Sequence, residues 1–174
     1  RLDPVAAERV EASNTRRIVR ALEVIEITGR PFSASLPRYE DIAPTVHIAL
    51  RCERRLLDLR INERARAMFD GGLIEEVEAL IDQGFREGET APRAIGYAQA
   101  LAVIDGTMSV PEAVDSTALA TRQLASRQIK WFRRDPRLHW IDVALTETGQ
   151  CTDSERSRLT RQAWELVCAR RGVA

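Results

Sequence analysis

Val46-His47-Ile48-Ala49-Leu50-Arg51 alternates strongly apolar residues with others at period two, the pattern of a short strand with one buried face. It decides between an all-helical reading of the chain and an α/β one. Far downstream, His139-Trp140-Ile141-Asp142-Val143 reads as a second short strand. Two strands do not complete a sheet, and isolated strands are rarely stable. The sequence therefore predicts that each pairs with strands this chain does not contain.

Around these strands the period lengthens to that of helices. Ile18, Leu22 and Ile25 recur at helical spacing from Asn14 to Thr28, with Asn14 as a cap and Gly29-Arg30-Pro31 as a stop. Arg16, Arg17 and Arg20 then share roughly one face. That face is either a cation cluster for a ligand or a solvated surface offset by Glu23 and Glu26. Pro31 to Pro44 reads as a loop or a crossing between lobes. After the first strand, Leu57, Ile61, Met68 and Phe69 mark a helix that carries Arg60 and Arg64 one turn apart, and Gly71-Gly72 breaks it. Leu73, Ile74, Val77, Leu80 and Ile81 define the next helix, acidic outside at Glu75, Glu76 and Glu78 and ending at Gly84.

Pro92 predicts the first turn of a helix running through Ala94-Ile95-Gly96-Tyr97 to Ile104. Within it, Gly96 would cost about 1 kcal/mol relative to Ala. Something should approach the backbone there, either a packed helix or a ligand. Ser109-Val110-Pro111-Glu112 has the form of a capping box and opens a long helix to about Arg134. Thr152-Asp153-Ser154-Glu155 is a second box, opening a last helix with Leu159, Ala163, Leu166 and Val167 inward.

The chain of 174 residues is 44% hydrophobic and 30% charged, which excludes a disordered chain, and no apolar run reaches the roughly 18 residues of a membrane span. It opens on Arg1-Leu2-Asp3-Pro4, with neither an initiator Met nor a basic-then-apolar leader, and reads as cut at its front. Net charge is zero, so affinity for nucleic acid must come from the distribution of charge. All but one of the 26 basic residues are arginine, either a genomic bias or a preference for planar, bidentate phosphate contacts. The lone lysine, Lys130, follows Ile129, which excludes a Gly-Lys phosphate-loop motif within this chain. Cys52, Cys151 and Cys168 are odd in number and lack CxxC spacing, which argues against a disulfide framework or a structural zinc site and for a reduced, cytoplasmic setting. His47 and His139 read as non-catalytic.

The strongest chemical signal lies from Thr121 to Trp140. Arg122, Arg127, Lys130, Arg133, Arg134 and Arg137 stand there against Asp135 alone, a phosphate-binding footprint in an otherwise neutral chain. At 100° per residue Leu124, Ala125, Trp131 and Phe132 fall on one side, with Gln128 among them, and Gln123, Arg127, Lys130 and Arg134 on another. At least one of Trp131 and Phe132 should belong to the core.

Four stretches together resemble bacterial tRNA dimethylallyltransferases, also called tRNA isopentenyltransferases. They are Arg16 to Val24 with Thr28-Gly29-Arg30-Pro31, Arg60-Ile61 to Arg64 with Met68 to Val77, Ala94-Ile95-Gly96-Tyr97, and Thr121 to Gln128 with Trp131-Phe132-Arg133. The resemblance runs from Leu2 to about Val143, and nothing after Val143 matches. It implies an α/β fold, as a predominantly helical fragment: the back half of a parallel core like that of phosphate-loop nucleotide-binding proteins, plus the end of a helical insertion domain. Residues 1–36 would end the insertion that grips tRNA, 37–145 would be the C-terminal part of the transferase core, and 146–174 a C-terminal helix or tail.

The reaction implied is transfer of a dimethylallyl group from dimethylallyl diphosphate to the exocyclic amine of the adenosine just 3′ of the anticodon. The phosphate loop and general base would lie upstream of Arg1, as would the ligands of the Mg²⁺ that the family implies; no metal ligand is assigned in this chain. Arg64 matches the family's Arg-Ile-x-x-Arg helix and would contact the diphosphate, with Arg60 beside it. The alternative for this pair is a surface ion pair with Asp58 or Glu63. Arg16, Arg17 and Arg20, then Arg93, Gly96 and Tyr97, then Arg127, Gln128, Trp131 and Arg133 match the tRNA-contacting segments; at Gly96 the RNA backbone would approach where no Cβ stands. The partners implied are the tRNA anticodon stem-loop and dimethylallyl diphosphate, with no membrane, for a monomer inactive without its other half. The sequence departs from the family at Ser13-Asn14, where Asn-Asp is usual, at Ala98, where a basic residue is usual, at Ser126, where Lys is usual, and at Lys130, where Thr is usual. Two other readings compete: a non-catalytic helical RNA-binding or adaptor module, and a structural helical domain with a solvated basic face.

Overall fold

The computed structural model describes residues 2–35 and 39–171. The chain divides into two compact units, residues 1–43 and 44–174. The boundary expected between residues 36 and 37 lies outside the described residues.

In the first unit, α1 (Pro4–Arg9) starts at Asp3, whose buried carboxylate accepts from the Ala6 amide at 3.0 Å. The same carboxylate accepts from the Ser33 amide at 2.7 Å and the Ser33 hydroxyl at 2.8 Å, and these bonds, the Ser33 amide foremost, hold its pKa below the usual value. Helix α2 (Thr15–Thr28) is capped as its sequence predicts. The Asn14 side chain accepts from the Arg17 amide, and Gly29 takes the left-handed conformation that ends the helix. An apolar groove of about 500 Å³ runs between α1 and α2, lined by Ala6, Val10, Ile18, Leu22 and Ile25.

The second unit contains both strands. β1 (His47–Arg51) and β2 (Leu138–Asp142) pair with each other, in parallel, from His47 opposite Leu138 to Arg51 opposite Asp142. The expectation that each would pair only outside the chain is thereby corrected. A parallel pair needs a crossover, and four helices supply it. These are α3 (Arg54–Asp70), α4 (Leu73–Ile81), α5 (Tyr97–Ile104) and α6 (Val110–Phe132). The sheet is not closed: Ile141 is buried, but Leu50 remains 59% exposed. The architecture is a partial parallel α/β core, predominantly helical.

The core sits among the helices. Phe69, Leu73, Val77, Ala100 and Ala113 form one cluster, and Ile61, Ala65 and Ala118 a second where α3 packs along α6. Glu112 accepts from the Ser109 amide at 2.8 Å and the Ser109 hydroxyl at 2.6 Å, which fixes the start of α6. The helix ends at Phe132, two residues before the expected Arg134. At α7 (Asp153–Arg171) only half of the predicted box forms. Thr152 Oγ1 accepts from the Glu155 amide at 3.2 Å, but the Glu155 carboxylate turns to the Ala144 amide at 2.7 Å and to Arg158, tying the helix to the end of β2. Leu159, Ala163, Leu166 and Val167 are each half-buried.

Gly96 also differs from expectation. The Pro92 signal belongs to a single 3-10 turn, Ala91–Arg93, and Gly96 is the residue before α5, at φ +97°. A Cβ there would meet Met68 Cε at 3.0 Å and Leu73 Cδ2 at 3.6 Å. Gly96 is thus demanded by a left-handed turn under close packing rather than tolerated inside a helix. Among the described residues, no helix is long and apolar enough to cross a membrane.

Candidate functional site

On α3, Arg60 and Arg64 line one groove of about 350 Å³ between α3 and α6, with Met68, Ile95, Thr117 and Thr121 opposite and below. Arg64 is exposed, and its side chain has no hydrogen-bond or ion-pair partner among the described residues. Among the described residues, neither arginine makes the alternative surface ion pair. Asp58 pairs with Arg54 at 2.8 Å, and Glu63 accepts from Gln150 at 3.1 Å. Arg60 donates to the Gly149 carbonyl at 3.4 Å, the long end of a hydrogen bond. The groove floor holds Thr117, whose Oγ1 is buried without a partner among the described residues.

The C-terminal half of α6 exposes Arg127, Gln128 and Trp131, and Arg133 is exposed just past its end. Trp131 is 64% exposed, and its ring meets Phe132 edge-on with centroids 5.0 Å apart. Phe132 is 38% exposed, so neither aromatic joins the core and that expectation is corrected. Helical periodicity placed them on an apolar side, but among the described residues little packs over that side. The same helix is fixed to α3 by polar contacts the sequence did not reveal: Arg122 donates to Asn62 Oδ1, and Arg54 donates to the Ser126 hydroxyl at 2.6 Å. The partners are far apart in sequence, and no spacing rule joins them.

The remaining expected residues divide. Arg16, Arg17 and Arg20 are exposed on α2, and Arg20 pairs with Glu23 at 3.3 Å, so the offset by acid holds for Arg20. Arg93 is exposed beside the turn before α5. Tyr97 packs against Phe85 and donates its hydroxyl to Glu76 at 2.5 Å, a bond that raises its pKa. Gly96 is buried, and what approaches it is Met68 and Leu73. Of the two readings, a packed element or a ligand, packing by these side chains accounts for the missing Cβ. The first unit carries Arg16, Arg17 and Arg20, and the second carries all the others.

Among the described residues, no group of three or more His, Cys, Asp and Glu side chains is arranged to hold a metal ion. The described residues thus offer Mg²⁺ no such ligand cluster of their own. The three cysteines are free thiols, and burial pushes the Cys52 pKa up.

A parallel strand pair with a helical crossover, cationic grooves and an exposed basic helix defines the class: a partial α/β core with surfaces suited to phosphate groups. The family model described as IPP transferase matches residues 1–135. The tRNA dimethylallyltransferase of Streptomyces avermitilis is 52% identical over 151 residues, which cover 85% of this chain and 48% of that protein. The enzyme of that name from Thermobifida fusca is 52% identical over 168 residues, 97% of this chain and 49% of its own length. The crystal structure of the full-length tRNA isopentenylpyrophosphate transferase from Bacillus halodurans superposes with a TM-score of 0.64 at 30% identity, covering 99% of this chain and 52% of that one. This chain belongs to the IPP transferase family, and it spans about half the length of the curated relatives it matches.

Proposed function

We propose that this chain is the C-terminal portion of a tRNA dimethylallyltransferase, the part that grips the anticodon arm and helps to hold the diphosphate. The phosphate loop and the general base then belong to a portion upstream of Arg1. In the reaction, the allylic C–O bond of dimethylallyl diphosphate breaks and its electron pair leaves on diphosphate. A bond forms from that carbon to the exocyclic nitrogen of the adenosine, and the proton lost by nitrogen goes to the base. This chain's share is electrostatic and positional. Arg64, with Arg60 one turn away, stabilises the charge that develops on the departing diphosphate. Arg127 and Arg133 bind backbone phosphates, while Gln128 and Trp131 offer a hydrogen-bonding group and a stacking face to an unstacked base. Arg93 and Tyr97 offer further contacts on the second unit, and Arg16 and Arg17 offer cations to RNA on the first.

One observation carries this reading. Arg64 is exposed on the groove that Arg60 also lines, and the carboxylates that would neutralise it are engaged elsewhere. The test uses the complete enzyme. Arg64→Ala should lower prenyl transfer by about 10²-fold and leave the affinity for an anticodon stem-loop nearly intact. An unchanged rate removes Arg64 from the site.

A further inference from the structure

The structure brings together three arginines that no sequence motif connects. A cleft of about 390 Å³ lies where the carboxyl end of β1, the first turn of α3 and the C-terminal half of α6 meet, walled by Arg51, Arg54 and Arg133 with Ser126, Trp140 and Cys52 between them. We propose that this cleft binds a phosphate group, presented by the backbone of the bound RNA; the proposal rests on the RNA-binding reading of α6.

Three features carry it. First, two of the three cations are held in place. Arg51, the last residue of β1, donates through Nε and Nη2 to its register partner Asp142 at 2.6 and 3.0 Å, which leaves Nη1 without a partner among the described residues. Arg54 is fixed by Asp58, by the Ser126 hydroxyl at 2.6 Å and by the Arg122 carbonyl at 3.4 Å. The Arg133 side chain has no hydrogen-bond or ion-pair partner among the described residues. Guanidiniums fixed in advance lose little freedom when they bind an oxyanion.

Second, charge is left over. Asp142 and Asp58 hold Arg51 and Arg54 from outside, and among the described residues no carboxylate lines the cleft and none pairs with Arg133. The pairs are exposed, so their carboxylates are screened by water and neutralise the arginines only in part. Third, the place is suitable, because ligands of open parallel α/β sheets lie outside the carboxyl ends of the strands. Arg54 also reaches across from α3 to the Ser126 hydroxyl, which brings a cation onto the face of α6.

The test titrates the protein with two probes, an anticodon stem-loop RNA across a salt series and inorganic diphosphate. Arg133→Gln removes a cation whose side chain makes no hydrogen bond or ion pair among the described residues. Arg54→Gln and the double variant Arg54→Gln/Ser126→Lys ask whether charge alone suffices, with thermal melting as a folding control. Arg133→Gln and Arg54→Gln should each weaken RNA binding about tenfold and flatten the salt dependence by about 0.7 to 0.9 in log–log slope. Ser126→Lys should recover most of the loss in the Arg54→Gln background. If wild type binds RNA and Arg133→Gln binds it equally well with an unchanged slope, the cleft is not a phosphate site, although the RNA-binding reading survives. If RNA does not bind the folded wild type, that reading fails. The cleft then stands as a free-diphosphate site only if diphosphate binds and Arg133→Gln weakens it, and no binding of either probe overturns both.

Discussion

Gly149 stands directly against Arg60. A Cβ at Gly149 would lie 3.3 Å from the Arg60 amide nitrogen and 3.1 Å from the Leu56 carbonyl oxygen, while Arg60 donates to the Gly149 carbonyl. The loop after β2, beyond the residues that the family model matches, therefore packs on the helix that carries the candidate diphosphate arginines. Gly149 also has φ +78°, which side chains rarely adopt. Gly149→Ala should destabilise the protein by about 1 to 3 kcal/mol, read as a lower midpoint in thermal unfolding. In the complete enzyme it should weaken substrate diphosphate affinity more than RNA affinity. Equal loss of both would mean that the loop supports the fold without positioning Arg60.

What could be read from the sequence was mainly local. Asn14 and Gly29 bound α2 because a cap and a left-handed stop act within one turn, and the same holds for Ser109 and Glu112. The pairing of β1 with β2 was not legible, because a parallel partner lies beyond the whole crossover and no turn residue marks it. The need for glycine at Gly96 was not legible locally, because the side chains a Cβ would meet, Met68 and Leu73, lie elsewhere in the chain. At Glu155 the capping pattern lost to the Ala144 amide, a competitor that no local pattern contains. Of the candidate site, Arg60 and Arg64 could be placed together by helical spacing, whereas Arg51, Arg54 and Arg133 could not.

Thr117 should be more stable as valine. Its residue is 2% exposed, and its Oγ1 has no partner among the described residues, so folding removes the hydroxyl from water without replacing the hydrogen bond. Thr117→Val keeps the branched shape and removes that group, which should raise stability by about 1 kcal/mol. Chemical denaturation at neutral pH measures it. A loss of stability would show that the hydroxyl has a partner in solution.

Glu155 gives the chain an acid-dependent anchor. Its bond to Arg158 first, and to the Ala144 amide second, lowers its pKa from 4.5 to about 2. Between those values the unfolded chain takes up a proton that the folded chain refuses, so the stabilisation is complete above about 4.5 and lost as the pH falls toward 2. Glu155→Gln should melt at a lower temperature than wild type at neutral pH. The gap should narrow below pH 4.5 and close near pH 2. A gap that stays constant across this range would assign the effect of the substitution to packing.

Trp131 separates a surface designed for RNA from one that is merely basic. Its ring is 64% exposed and touches only the edge of Phe132 among the aromatic side chains described, so removing it forfeits little of the core. Trp131→Ala should therefore change stability by less than about 0.5 kcal/mol. If an unstacked base rests on the indole, the same change should weaken stem-loop binding by about 1 to 3 kcal/mol without altering its salt dependence, because no charge is lost. Trp131→Phe, which keeps a stacking face, should retain most of the affinity. Arg127→Ala should instead reduce both affinity and salt slope. Wild-type binding by Trp131→Ala would leave α6 as a purely electrostatic surface and would exclude the indole from base recognition.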